Sequence, residues 1–240
     1  MVAVYFSGRD QLSELATPGM ITPEEERLYY HLARSYWDPQ LTYLEVGTWL
    51  GRSTTRICQG LESAAPQSWR LFCYDAFVWR ADHMPKAARQ GMPPEVARLR
   101  EGDSFREAFL SLMGSFGDRI TTVQGMVQDA PLLLAEALPA RAKLGVLFVD
   151  ASKGWENAQL LRAVAPHLTT DTRIVFQDFF INSAITLQAL LMWLPLEAEL
   201  VVSDGGSIVF RVAQEIPPNH ALFSEGQLQE DRGKGDQEGV

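Results

Sequence analysis

Cysteine is nearly absent from this chain: its 240 residues contain only Cys58 and Cys73. Two cysteines cannot build a metal–thiolate cluster, and they are unlike the disulfide framework of a small secreted domain. No staple is required, because a chain of this length buries roughly three quarters of its unfolded surface. Basic residues are scarce as well. Lys and Arg number 21 against 30 Asp and Glu, for a net charge of −9. A nucleic-acid binder would show the opposite balance, with a basic face for phosphates. Long apolar runs are also missing. The most apolar stretch, Ala184 to Leu200, carries Gln188 and Pro195 and ends in Glu197 and Glu199. It reads as a buried helix, not a membrane span. The N-terminal MVAVYFSGRDQLSEL has no basic leader, extended apolar region or small-residue cleavage site. The expectation is a soluble, cytoplasmic, acidic globular protein, with neither nucleic acid nor membrane as partner.

What is present is an alternation of short apolar strands with amphipathic helices. Thr22-Pro23-Glu24-Glu25 forms a capping box with proline at the first helical position. Leu28, Tyr29, Leu32, Ala33 and Tyr36 then recur at helical spacing, predicting a helix over 24–37. Strands are expected at 41–46, 70–75, 119–124, 144–150 and 173–177, with helices at 52–62, 104–116, 129–138, 156–168 and about 182–194. Two final strands, 199–203 and 207–212, are joined by Asp204-Gly205-Gly206, a hairpin signal. Strands separated by helices of this length imply right-handed βαβ units. The expected fold is α/β: a Rossmann-like, mostly parallel seven-stranded sheet with helices on both faces and a C-terminal antiparallel hairpin. Residues 1–40 read as a helical lid or cap and 41–212 as the main domain. Within that domain 77–103 is a lid-like insertion, and the polar, Gly-rich end of the 213–240 tail is expected to be disordered.

In an open parallel sheet the ligand lies beyond the carboxyl ends of the strands, so residues just after each strand carry the chemistry. After the first strand comes Glu45-Val46-Gly47-Thr48-Trp49-Leu50-Gly51-Arg52-Ser53-Thr54. Gly47 and Gly51 permit a tight turn and close ligand approach, and the next helix offers free N–H groups. The spacing is GxxxG, not the GxGxxG of a nicotinamide loop, which counts against an NAD-dependent oxidoreductase. Asp75, closing the second strand, is placed to accept from ribose hydroxyls or to serve as a turn residue. After the third strand, Gly125-Met126-Val127-Gln128-Asp129 can flank an adenine or cap the next helix. Asp150 and Asp178 end neighbouring strands, where paired carboxylates suit a hard divalent cation. Lys153 is near enough to act as a base there, or else is a surface lysine.

The acid-x-Gly-x-x-x-Gly loop at 45–51, Asp75 and the closing hairpin together resemble a class I S-adenosylmethionine-dependent methyltransferase over residues 20–212. Gly51-Arg52-Ser53-Thr54, Gly125-Met126-Val127-Gln128-Asp129 and Asp150-Ala151-Ser152-Lys153 are similar to loops of small-molecule O-methyltransferases. The catechol and caffeoyl-CoA type and the macrocin-like sugar methyltransferases are the nearest in pattern. The resemblance implies S-adenosylmethionine as cofactor, held by the loop of Glu45, Gly47, Thr48, Trp49, Gly51 and Ser53. Within that loop Gly47 and Gly51 would flank the methionine part, and Trp49 and Ser53 would meet its carboxylate. Asp75 would take the ribose, with Ala76, Gly125, Met126 and Gln128 around the adenine and Asp150 beside them. It also implies Mg2+ or another divalent cation on Asp150 and Asp178, with Lys153 and Asp150 as catalytic groups. Gln177 and Phe179 stand where the family carries a further Asn or Asp. The expected activity is O-methylation of a small hydroxylated acceptor. A metal-independent N- or C-methyltransferase, or a silent cofactor-binding protein, stays open, as does a homodimer.

Overall fold

The computed structural model describes residues 12–66, 68–83, 93–181, 184–202, 204, 206–217 and 220. The expected disorder near the C-terminus therefore lies outside the described residues. Seven strands form one sheet: β1 (Leu41–Val46), β2 (Leu71–Asp75), β3 (Ile120–Gln124), β4 (Lys143–Val149), β5 (Arg173–Phe176), β6 (Leu196–Val202) and β7 (Ser207–Val212). Their order is β3-β2-β1-β4-β5-β7-β6. The first five run parallel, and β7 returns antiparallel between β5 and β6. Strand order reverses between β1 and β4, which sets the switch point beyond Val46 and Val149.

The central strands are apolar on both faces because helices cover both. Alternate residues of β1 and β4 go to opposite cores: Tyr43, Val146 and Phe148 to one, and Leu44, Val46, Leu147 and Val149 to the other. The first core is closed by α1 (Pro23–Ser35), α2 (Arg52–Ala64) and α3 (Arg106–Met113). The second is closed by α4 (Ala130–Ala137), α5 (Asn157–Val164) and α6 (Ile185–Leu191). Thr22 and Glu25 exchange the two bonds of the capping box at the start of α1.

Proline and glycine account for the differences from the expected boundaries. The helix after β2 gives way to a 3-10 turn at Gly114, whose φ is +28°. α5 ends in a 3-10 turn containing Pro166, which lacks the donor the helix needs. β6 starts at Leu196, immediately after Pro195, because Leu196 pairs with Val212; a bulge falls at Glu199. The insertion after β2 is anchored at both ends. Val78 bridges Ser104 antiparallel, Trp79 N donates to Asp103 O at 2.7 Å, and Phe77, Trp79, Val96 and Phe105 are buried in the first core. Residues 84–92 lie outside the described residues.

α1 and α2 are joined by a buried ion cluster. Glu26, 6% exposed, accepts from Arg52 Nε at 2.6 Å and from Arg56 Nε at 2.7 Å. The same two arginines donate to the carbonyls of Thr17 and Ser13, drawing the N-terminal segment over α2. The helices cross closely at Gly60, where a Cβ would lie 2.3 Å from Tyr30 O. Gly60→Ala is therefore expected to destabilise the fold by roughly 1–3 kcal/mol despite alanine's better helix propensity. Urea unfolding of the two proteins checks the sign.

Candidate active site

Backbone ladders run one step past the strand ends and bring the loops level. Gly47 N donates to Tyr74 O, Gly125 N to Asp75 O, Asp150 N to Val46 O and Gln177 N to Val149 O, at 2.8–3.0 Å. Glycine is required at position 47 for two reasons: its φ is +87°, and a Cβ would lie 2.2 Å from Asp150 O. Gly51, at φ +91°, begins α2. Neither space is open to a ligand, since the Asp150 backbone fills one and Met113 the other.

Asp75 holds the next layer together. Its Oδ2 accepts Thr48 N at 2.7 Å and Trp49 N at 3.2 Å, while Oδ1 accepts Phe77 N at 2.7 Å. Burial pushes this carboxyl above its ordinary pKa, against the pull of those N–H groups. Trp49 and Phe77, on either side of the clamp, have φ values of +42° and +51°. Asp178 shares this left-handed conformation at +54°. All three follow strand ends, where strained backbone concentrates at functional sites.

A cleft of about 390 Å³ opens over these loops. It gathers Gly47, Trp49, Asp75, Ala76, Gly125, Met126, Gln128 and Asp150 from the residues expected by sequence. Tyr74 OH donates to Met126 O at 2.5 Å and shapes the third loop. Met20, Phe105 and Glu156 join the lining without a local sequence signal, and Arg80 and His83 join it from the lid-like insertion. His83 sits edge-on to the rings of Trp49 and Trp79, at 5.9 and 5.3 Å between centroids. Trp49 Nε1 is buried with no hydrogen-bond partner among the described residues.

Glu45, Thr48, Gly51 and Ser53 do not line the cleft. Glu45 is 2% exposed and turns toward α2, accepting Ser53 Oγ at 2.5 Å and Thr54 Oγ1 at 2.6 Å. It secures the first turn of α2 instead of facing the ligand. Burial raises its pKa from 4.5 to about 7, against the two hydroxyl bonds.

Asp150 is placed by the β4 loop. Lys153 Nζ lies 3.2 Å from Asp150 Oδ1 and donates to Gln177 O at 2.8 Å. Asn157 Nδ2 holds the loop by donating to Ser152 O at 2.7 Å and Gly154 O at 3.1 Å. Burial raises Asp150 from 3.8 to about 7; Lys153 pulls it down, and Asp178 and Glu25 push it up. Beneath this group the buried Tyr29 OH donates to Gln177 Oε1 at 3.1 Å. Glu25, buried and bonded by Ser207 Oγ, brings a further carboxyl near Asp178. Sequence spacing reveals Glu25 as a helix cap; only the fold carries it beside β5.

The cation expected on Asp150 and Asp178 does not find an assembled site. No group of three or more His, Cys, Asp or Glu able to hold a metal occurs among the described residues. Asp150 already faces the Lys153 ammonium, and Phe179, which cannot ligate, is 9% exposed.

The sequence profile of a family described as a methyltransferase domain matches residues 44–179. No curated protein matches the chain directly. Among solved structures, CalS11, a TDP-rhamnose 3′-O-methyltransferase of calicheamicin biosynthesis, superposes with a TM-score of 0.58 at 17% identity, covering 78% of this chain and 79% of that one. The O-methyltransferase NovP gives 0.55 at 12% identity over 80% and 78%. The SAH-bound methyltransferase PaMTH1 of Podospora anserina gives 0.51 at 16% identity over 80% of each. At these identities the likeness is one of fold. It extends to the parallel sheet closed by an antiparallel hairpin.

The buried Glu45 has a consequence for stability. Its folded pKa lies above its unfolded one, so the folded state holds the extra proton between pH 4.5 and about 7. Stability from this group is complete below pH 4.5 and is lost as pH rises through about 7. Glu45→Gln is expected to remove up to about 1.4 kcal/mol per pH unit from that slope. Asp150, raised in the same direction, leaves a residual slope. Denaturant melts between pH 5 and pH 8 measure it.

Proposed function

The chain belongs to the methyltransferase-domain family, and on that premise we propose that it moves a methyl group from S-adenosylmethionine to the oxygen of a small hydroxylated acceptor, a sugar, phenol or natural product. The observation that carries this reading is the cleft itself, with Asp75 and Asp150 from the ends of β2 and β4 on one lining. Its volume lies within the roughly 300–1,000 Å³ usual for small-molecule sites. The buried Trp49 Nε1–H offers an unused donor to a bound cofactor's oxygen. Asp75, with lone pairs beyond those used by the clamp, suits ribose hydroxyls, and Ala76, Met126 and Gln128 suit an adenine edge and face. When bound, the cofactor supplies a methyl group on a sulfonium sulfur, already activated for in-line displacement.

The protein must then align the acceptor and take its proton. Asp150 suits the second task. It lines the cleft, and burial puts its pKa at about 7, where a carboxylate is both sufficiently ionised and sufficiently basic. Lys153, held by Gln177 O, orients Asp150 and keeps its pKa from rising further. In this reading proton removal is assigned to Asp150, whose carboxylate faces the Lys153 ammonium.

Thermal melting tests the cofactor. S-adenosylmethionine and S-adenosylhomocysteine are expected to raise the melting point and NAD to leave it unchanged, since only ligands of the folded state stabilise it. Stabilisation by NAD alone overturns the reading. Ala76→Leu, which narrows the cleft, is expected to abolish the shift with little effect on the unliganded melt.

The pH–rate profile tests the base. Activity is expected to rise as pH passes through about 7 in the wild type. Asp150→Asn is expected to lose at least about a hundredfold in rate. Lys153→Met removes a positive charge that lowers the Asp150 pKa, so it moves the rising limb to higher pH. Loss of activity at every pH in Lys153→Met would make the lysine the base. Turnover in excess chelator is expected to persist.

A further inference from the structure

α6 and the turn that follows it both bury and expose large apolar side chains. Leu187, Leu190 and Leu191 are buried in the second core, as is Leu194 just beyond the helix. Ile185, Met192 and Trp193, at positions i, i+7 and i+8, are 70%, 87% and 64% exposed. Phe180 and Ile181, after Asp178, add side chains 53% and 43% exposed. Large apolar side chains exposed together in one short segment mark a contact surface. Sequence composition marks the same segment. From Phe179 to Leu196 there is no ionisable residue, although 21% of the chain is charged.

We propose that this face is the contact between two copies of this chain. Charge selects the occupant. A chain of net charge −9 repels its own copy over most of its surface. The 179–196 segment is where two copies meet without placing like charges together. A lipid surface fits poorly, because membrane-binding helices frame their apolar face with Lys and Arg, whereas this segment is framed by Asp178, Glu197 and Glu199.

Area fits too. At ~200 Å² per large side chain, the five exposed residues present on the order of 600 Å² per copy. Two such faces bury about 1,200 Å², the lower end of specific interfaces. A helical stripe is self-complementary about a two-fold axis, with Ile185 of one copy against Met192 and Trp193 of the other. Pairing through the sheet edge is disfavoured, because β6 is bulged at Glu199 and carries exposed Glu197. The proposal does not depend on methyl transfer.

Sedimentation equilibrium of the full chain tests it. The wild type is expected to be a reversible dimer at micromolar concentration. Met192→Glu and Trp193→Glu, each placing a charge against the apolar Ile185 of the other copy, are expected to raise the dissociation constant at least about tenfold. Leu132→Glu, at a 67% exposed leucine on α4 away from the stripe, is expected to leave it unchanged. Circular dichroism melts of the dilute variants should match the dilute wild type, since the replaced side chains are outside the core. A wild type that stays monomeric at all concentrations overturns the proposal. So does a dimer that keeps its affinity in both stripe variants, or a monomer that sediments with lipid vesicles.

Discussion

The cleft depends on the Asp75 carboxylate accepting three main-chain N–H groups from two loops. Those bonds hold Trp49 and Phe77 in left-handed conformations that cost on the order of 1–3 kcal/mol each. Removing the clamp would let both residues relax, and the cleft floor would move with them. The same carboxylate lines the cleft, so one side chain both braces the loops and borders the site. A single acid at the end of β2 thereby sets the height of the β1 loop, the start of the insertion and one wall of the site.

Around that clamp the fold concentrates acids where water is scarce. Glu25, Glu45, Asp75 and Asp150 are all pushed upward, and in each case burial is the principal cause. Their partners differ, and so do their roles. Glu45 is satisfied by the hydroxyls of α2 and Glu25 by Ser207 and the start of α1, so both act as struts. Asp150 is opposed by a single lysine and lines the cleft, which leaves it able to exchange a proton near neutral pH. An ammonium facing this carboxylate also answers part of the electrostatic need that a cation would meet.

Two surfaces of the second core contrast. α5 is amphipathic, with Arg162 turned to water, and needs no partner. α6 follows the β5 loop with leucines inward and Ile185 exposed, and the turn after it exposes Met192 and Trp193. The helix that follows β5 is thus part of the segment that keeps large apolar side chains exposed in a single chain.

The local pattern alone determined the order of strands and helices, because apolar runs bounded by Gly and Pro and a period near 3.6 are properties of a few adjacent residues. It also determined that Asp75, Asp150 and Gly47 meet on one sheet edge, since residues after parallel strands share an end. Side-chain direction was less legible. Glu45 lies one residue from Val46, and the two-residue period of the strand sends it to α2 while Val46 reaches the cleft. Glu25 and Met20 were beyond reach, because α1 and the N-terminal segment are placed by packing against distant elements. The expected cation pair shows a related limit. Adjacency in the sheet brings Asp150 and Asp178 to one edge, but only the tertiary structure decides that Lys153, held by Gln177 O, faces Asp150.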